Sequence, residues 1–153
     1  MATDYSALSG PFVFHLTRTP SLDDHPPHLP ENVAKAFRSA ERNFAQPDGE
    51  DAAATMYRRS IDVAIREKHP EVKGLLAVRI AKLTEKGLLP PSMKDWADHI
   101  RWIGNDGAHE PEGVTAEEAK AIRGFADAFL RYFISIPFEV SLRRGETPDG
   151  ALA

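Results

Sequence analysis

From Pro30 onward the apolar residues recur at helical spacing. Val33, Ala36, Phe37, Ala40 and Phe44 fall at i, i+3, i+4, i+7 and i+11, one stripe of an amphipathic helix. The Pro-Asp-Gly turn at 47–49 separates it from a second stripe, Ala54, Tyr57, Ile61, Ala64 and Ile65. His69-Pro70 closes that helix, because the residue before a proline avoids the α region. A third run, Val72, Leu75, Leu76, Arg79, Ile80 and Leu83, ends at Lys86-Gly87, a basic last turn followed by glycine. Pro90-Pro91 opens a fourth helix with Met93, Trp96, Ile100 and Ile103 facing inward. Thr115-Ala-Glu-Glu118 is a capping box for a fifth, whose stripe is Ile122, Phe125, Ala126, Phe129, Leu130 and Phe133. Pro137 predicts its end.

Five helices joined by short connections predict an all-α fold, an antiparallel helical bundle over residues 30–137. Residues 1–29 lack helical periodicity, and the stretch PSLDDHPPHLP at 20–30 is too proline-rich for a helix, so an irregular N-terminal arm is expected. FVFHL at 12–16 reads as a short strand or an apolar peg on the bundle. The polar stretch after residue 137 reads as a frayed tail over 138–153.

Composition narrows the classes. The chain of 153 residues is one domain in size, and its 42% apolar content is enough for one core. It has no run long and apolar enough for a membrane span, and its N-terminus lacks the basic and apolar regions of a secretory signal. With no cysteine, disulfides, thiolate nucleophiles and Cys-based zinc sites are excluded, and a cytoplasmic location is expected. The net charge of −4 argues against a general coat for nucleic acid. Yet residues 56–101 hold ten Lys/Arg against six Asp/Glu, a basic middle suited either to a phosphate backbone or to solvated helix faces.

Candidate chemistry concentrates in RWIGNDGAH at 101–109. Arg101, Asn105 and His109 are spaced four apart, so on a continuous helix they would form a ladder about 12 Å long. Gly104 and Gly107 predict that the helix ends or unwinds between them, which would let His109 fold back toward Arg101. A histidine moves protons near neutral pH, an arginine holds phosphate, and an asparagine orients either. The set suits metal-free RNA cleavage, in which a ribose 2′-hydroxyl attacks the adjacent phosphate. The competing structural reading has Asn105 and His109 capping helix carbonyls and Arg101 pairing with Asp98. Arg58 and Asp62, four apart beside the second stripe, read as a half-buried pair that fixes packing or orients the fourth helix. No metal-ligand spacing, phosphate-cradling loop or nucleophile elbow is present, so no metal or cofactor is expected. His15, His25 and His28 cluster in the arm at spacings that fit no defined metal site.

Taken with LPENVAKAFRSAE, AAATMYRRSIDVAI and LLAVRIAKLTEKGLLP, these residues give the chain a resemblance over about 29–136 to the bacterial domain-of-unknown-function 4145 family. The segment IRWIGNDGAH resembles that family's I-R-x-x-G-N-x-x-A-H signature, and RRSID at 58–62 its Arg…acid pattern. Many relatives begin with a cysteine zinc ribbon, which has no counterpart here. The family is grouped with HEPN helical domains, so the resemblance implies a helical bundle, frequent homodimerisation, and roles in bacterial defence or toxin–antitoxin systems. In catalytic HEPN members an R-N-x-x-x-H motif forms a metal-independent ribonuclease site; others are binding or scaffold domains. Here Asn105 and His109 match N-x-x-x-H, Gly104 stands in the arginine position, and Arg101 is the nearest arginine. The expectation is a HEPN-like domain that binds or cleaves RNA, with His109, Arg101 and Asn105 as its site and Arg58, Asp62 and Asp98 in support. The alternative is a non-catalytic interaction module that binds a protein partner.

Overall fold

Pro30 fixes the entry to the first helix, since a proline there has no N–H to lose and pre-sets φ. The computed structural model describes residues 25–100, 103 and 113–147. It is an all-α bundle built from α1 (Glu31–Phe44), α2 (Glu50–Lys68), α3 (Leu76–Glu85), α4 (Pro91–Asp98) and α5 (Ala116–Leu130). A π-helical turn (Arg131–Ser135) carries α5 on into α6 (Ile136–Arg143).

Helices α1 and α2 form a hairpin across the Pro-Asp-Gly turn, and α5 packs against α2 as well. Helix α2 is therefore central. Its predicted stripe is fully buried, and Val33, Phe37, Ile122, Phe125 and Phe129 close over it. Phe37 and Phe44 meet the Tyr57 ring edge-on, at centroid distances of 5.5 and 6.4 Å. The Tyr57 hydroxyl, carried into this core, donates to Glu41 of α1. Arg123 of α5 grips the same carboxylate with two bonds, Nε to Oε1 at 2.8 Å and Nη2 to Oε2 at 2.9 Å. One carboxylate thus ties three helices, and Arg123 also lies 4.9 Å over the Phe44 ring.

The third helix starts later than its apolar pattern predicts. Val72 is buried, but within a turn, and Leu75 is 56% exposed as the N-cap. The helix closes as expected at Gly87, where Gly87 N–H reaches Thr84 O and Leu88 N–H reaches Leu83 O. In α4, Met93 and Ala97 face the core, as does Ile100 just beyond its end. Trp96, expected inward, is 42% exposed and rests its ring edge-on against Phe125 at 5.4 Å. The Thr115–Glu118 capping box is present in both directions.

Pro137 does not end the last helix. Without an N–H it leaves the carbonyl four residues back, that of Phe133, without its helical donor. Lys68 of α2 supplies one, its Nζ donating to Phe133 O at 2.7 Å and lying 4.8 Å over the Phe133 ring. The π-helical turn just before the proline absorbs the remaining mismatch. Helix α6 consequently runs six residues past Pro137. The chain before α1 is clipped onto it: Ser135 Oγ donates to Pro27 O at 2.7 Å, and His28 stacks on Phe138 at 4.2 Å while its Nε2 meets Glu139 at 2.6 Å. His28 is thus engaged in packing, and His25 Nδ1 bonds the Pro26 carbonyl at 2.8 Å. FVFHL and His15 lie outside the described residues.

Candidate functional site

Helix α4 stops before the candidate segment. At its C-terminus His99 N–H bonds Trp96 O and Ile100 N–H bonds Ala97 O, three residues back rather than four, which tightens and ends the turn. The His99 ring Nδ1 takes the Asp95 carbonyl at 2.6 Å. Helix α4 itself spans Pro91–Asp98, and the expected ladder of Arg101, Asn105 and His109 falls beyond it. The glycines at 104 and 107 predict a break further on; local turn bonds already end α4 at Asp98.

Arg101, Asn105 and His109 lie outside the described residues. The described residues around and between them are firmly held. Ile100 and Ile103 are buried in the main core, with Ile103 N–H bonded to Ile100 O. On the far side, Val114 N–H donates to Asp51 Oδ1 at 2.6 Å, tying the entry of α5 to the first turn of α2. Gly113 precedes this bond at φ +71°, where a side chain is strained, and a Cβ there would sit 3.1 Å from Asp51 Oδ1. Nothing in the sequence marked Asp51 as an anchor; an acid in a first turn ordinarily reads as a complement to the helix dipole.

Of the supporting residues, Asp98 pairs with Lys94 at 2.6 Å on the surface of α4. Asp62 does not merely face its neighbour one turn away. Its carboxylate takes Arg66 Nε at 3.1 Å and Arg79 Nη2 from α3. Arg79 is only 4% exposed, so the apolar stripe of α3 carries a buried guanidinium. Burial, and then the nearby charge of Arg58, push the Arg79 pKa below the usual arginine value. Arg66 and Arg79 thus share one carboxylate, with the charge of Arg58 close to Arg79. Arg79 was legible as a charged residue at a core position of α3; that it meets Asp62 was not, because the contact joins two helices through a turn.

Elsewhere, burial, together with the hydrogen bond and charge of Glu41, pushes the Tyr57 hydroxyl above the usual tyrosine range. Glu41, in turn, raises the Arg123 pKa. This is a neutral phenol beside a satisfied ion pair, a packing device rather than an acid–base pair. Among the described residues no three His, Asp or Glu groups come together as a metal site, and no helix is long and apolar enough to cross a membrane.

The chain belongs to the family described as Domain of unknown function (DUF4145), whose family model matches residues 40–144. The match takes in all of α2–α6 and the whole candidate segment. No curated protein and no solved structure matches the chain.

Proposed function

We propose that this domain binds RNA and cleaves it at the 101–109 segment without a metal. The observation that carries the reading is the anchoring of that segment's flanks. Buried Ile100, just before the segment, and Ile103, within its first turn's length of chain, hold one end, and the Asp51–Val114 bond holds the chain after it, both against the core that surrounds α2. A short polar stretch rich in chemical groups, tethered at both ends to a rigid scaffold, is how folds commonly present functional loops.

In this reading Arg101 holds the scissile phosphate and Asn105 orients it. The 2′-oxygen–phosphorus bond forms, the phosphorus–5′-oxygen bond breaks, and His109 handles the proton lost from one oxygen and gained by the other. The products are a 2′,3′-cyclic phosphate and a 5′-hydroxyl. A homodimer would set two such segments side by side, as the resemblance to HEPN domains implies, in a cytoplasmic bacterial defence or toxin–antitoxin role.

The test is incubation of the purified protein with tRNA and total RNA in EDTA, beside His109→Ala. Fragments with 2′,3′-cyclic ends from wild type alone are expected. The same fragments from both proteins would sink the catalytic reading, and absence of RNA retention on a filter would sink RNA binding as well.

A second reading, a non-catalytic interaction module, has its own observation. Tyr132, Ile136 and Val140, spaced four apart, leave an exposed apolar row along the last helix, and α6 contributes no buried residue. Gly104 in the arginine position favours the same reading. Under it, RNA is not retained, and Arg101→Ala, Asn105→Ala and His109→Ala leave partner binding intact.

A further inference from the structure

Helix α6 has no buried residue of its own, and Tyr132, Ile136 and Val140 stand exposed in a row along it and the π-helical turn before it. We propose that the apolar segment FVFHL at 12–16 of the same chain lies over this row and covers it.

The helix is the first argument. Isolated helices shorter than about 12–15 residues are marginal in water, and most helical stability in proteins comes from packing an apolar face. Helix α6 has eight residues and buries none of them fully, while its apolar row faces solvent. Single exposed apolar side chains are ordinary, but three in register along one helix mark a surface that something covers.

Where the arm is fixed is the second. The described chain begins at His25, and it begins on this helix. Pro26 is buried, Pro27 O accepts from Ser135 Oγ, and His28 stacks on Phe138 and meets Glu139. His28 takes φ +63°, in the left-handed region that few side chains enter, so the chain is held in one definite turn here. Ile136 and Val140 each follow a clip residue, Ser135 or Glu139, by one position, which sets the row about 100° round the helix from the clip. The chain leading back to FVFHL therefore starts beside the row.

Reach and spacing are the third. Residues 17–24 join FVFHL to His25. Fully extended, that length spans up to about 30 Å, whereas Tyr132 to Val140 covers about 12 Å. In an extended segment Phe12, Phe14 and Leu16 share one face at intervals of about 6.5 Å, and helix positions four apart rise about 6 Å. The segment carries no Asp, Glu, Lys or Arg, so covering the row desolvates no such charge. A short tether gives it an effective concentration in the millimolar range, which favours it over a second copy of the chain at micromolar concentration. The inference is independent of the ribonuclease reading; under the interaction-module reading, a partner that uses the row has to displace the arm.

The chain has no cysteine, so an introduced pair reports alone. Phe14 is the centre of the segment and Ile136 the centre of the row, so the two meet whichever way the segment runs. Phe14→Cys with Ile136→Cys, in the full chain under mild oxidation, is expected to form a disulfide within the monomer. Its rate is expected to be independent of protein concentration and at least tenfold that of Phe14→Cys with Leu88→Cys, which uses an exposed apolar position just after α3. Equal rates for the two pairs would overturn the proposal. A disulfide that forms only between chains would overturn it too and assign the row to a second copy. Hydrogen exchange gives a measure without cysteines: Phe12→Ser with Phe14→Ser is expected to speed exchange of the α6 amides about tenfold and leave those of α2 unchanged. Unchanged exchange in α6 counts against the cover as decisively. His109→Ala is expected to abolish cleavage and leave both readouts as in wild type, so this proposal and the ribonuclease reading fail separately.

Discussion

Lys68 Nζ donates to the Phe133 carbonyl at 2.7 Å. This cross-helix bond fills the gap that Pro137 leaves in the helical ladder, and it lets the last helix of the bundle run past a residue that ordinarily ends one. The contact is side chain to backbone, spans α2 and the π-helical turn, and is partly buried.

Lys68→Met is expected to destabilise the protein by about 1–3 kcal/mol, because the Phe133 carbonyl loses its donor. In a Pro137→Ala background, where residue 137 regains an N–H, the same substitution is expected to cost clearly less. Urea denaturation of the four proteins of this cycle gives the coupling directly. Equal costs in both backgrounds would show that Lys68 acts through its contact with the Phe133 ring alone.

Tyr57 gives a pH dependence with a definite sign. Its hydroxyl titrates higher in the folded protein than in the unfolded chain, so the folded state holds its proton longer. Stability from this group is fully present below the ordinary tyrosine pKa of about 10 and falls as pH rises above it, by up to about 1.4 kcal/mol per pH unit. Tyr57→Phe is expected to be less stable at neutral pH, having lost the bond to Glu41, but to show a shallower decline between about pH 10 and 11.5. Chemical denaturation at stepped pH checks both limbs.

Asp62→Ala would leave Arg79 buried without its carboxylate. Breaking a buried pair from one side costs about 3–5 kcal/mol, and the partial exposure of Asp62 places the expected loss toward the lower end. Replacing both partners, Asp62→Ala with Arg79→Met, is expected to recover much of it, since the lone charge is gone. A double variant no more stable than Asp62→Ala would refute the pair as the source of the loss.

Gly113→Ala is expected to destabilise by about 1 kcal/mol or more, from a positive φ together with crowding against Asp51. Asp51→Ala removes the acceptor for Val114 N–H and is expected to cost a similar amount. If the proposed function holds, either change also lowers RNA cleavage beyond its effect on folding, measured at a temperature where both proteins remain folded. Undiminished cleavage would show that this anchor does not position the segment.

Much of the bundle was legible from spacing. The stripes of α1, α2 and α5 are buried as read, with Phe44 half-buried at the end of α1, because a helix places residues three and four apart on one face whatever its neighbours. The turn at 47–49, the stop at His69-Pro70, the glycine close of α3 and the Thr115 capping box are likewise local chemistry. Local rules misplaced the start of α3, the end of α4 and the role of Pro137. In the first two, the positive φ of Gly74 and the tight turn bonds at His99 and Ile100 decided the boundary. In the third, the deciding group lay 65 residues away in sequence.

The candidate site divides in the same way. The sequence by itself determined that the polar groups of 101–109 fall within one short run of chain, and that helical stripes on either side of it supply a core. Only the tertiary structure decided that Asp51 ties the far side to α2, that Asp62 belongs to Arg79 and Arg66, and that Glu41 joins Tyr57 to Arg123. The physical reason is reach. Periodicity and capping act within about one or two turns of chain, whereas a charged group at the edge of a core is satisfied by whichever partner packing brings within about 3 Å.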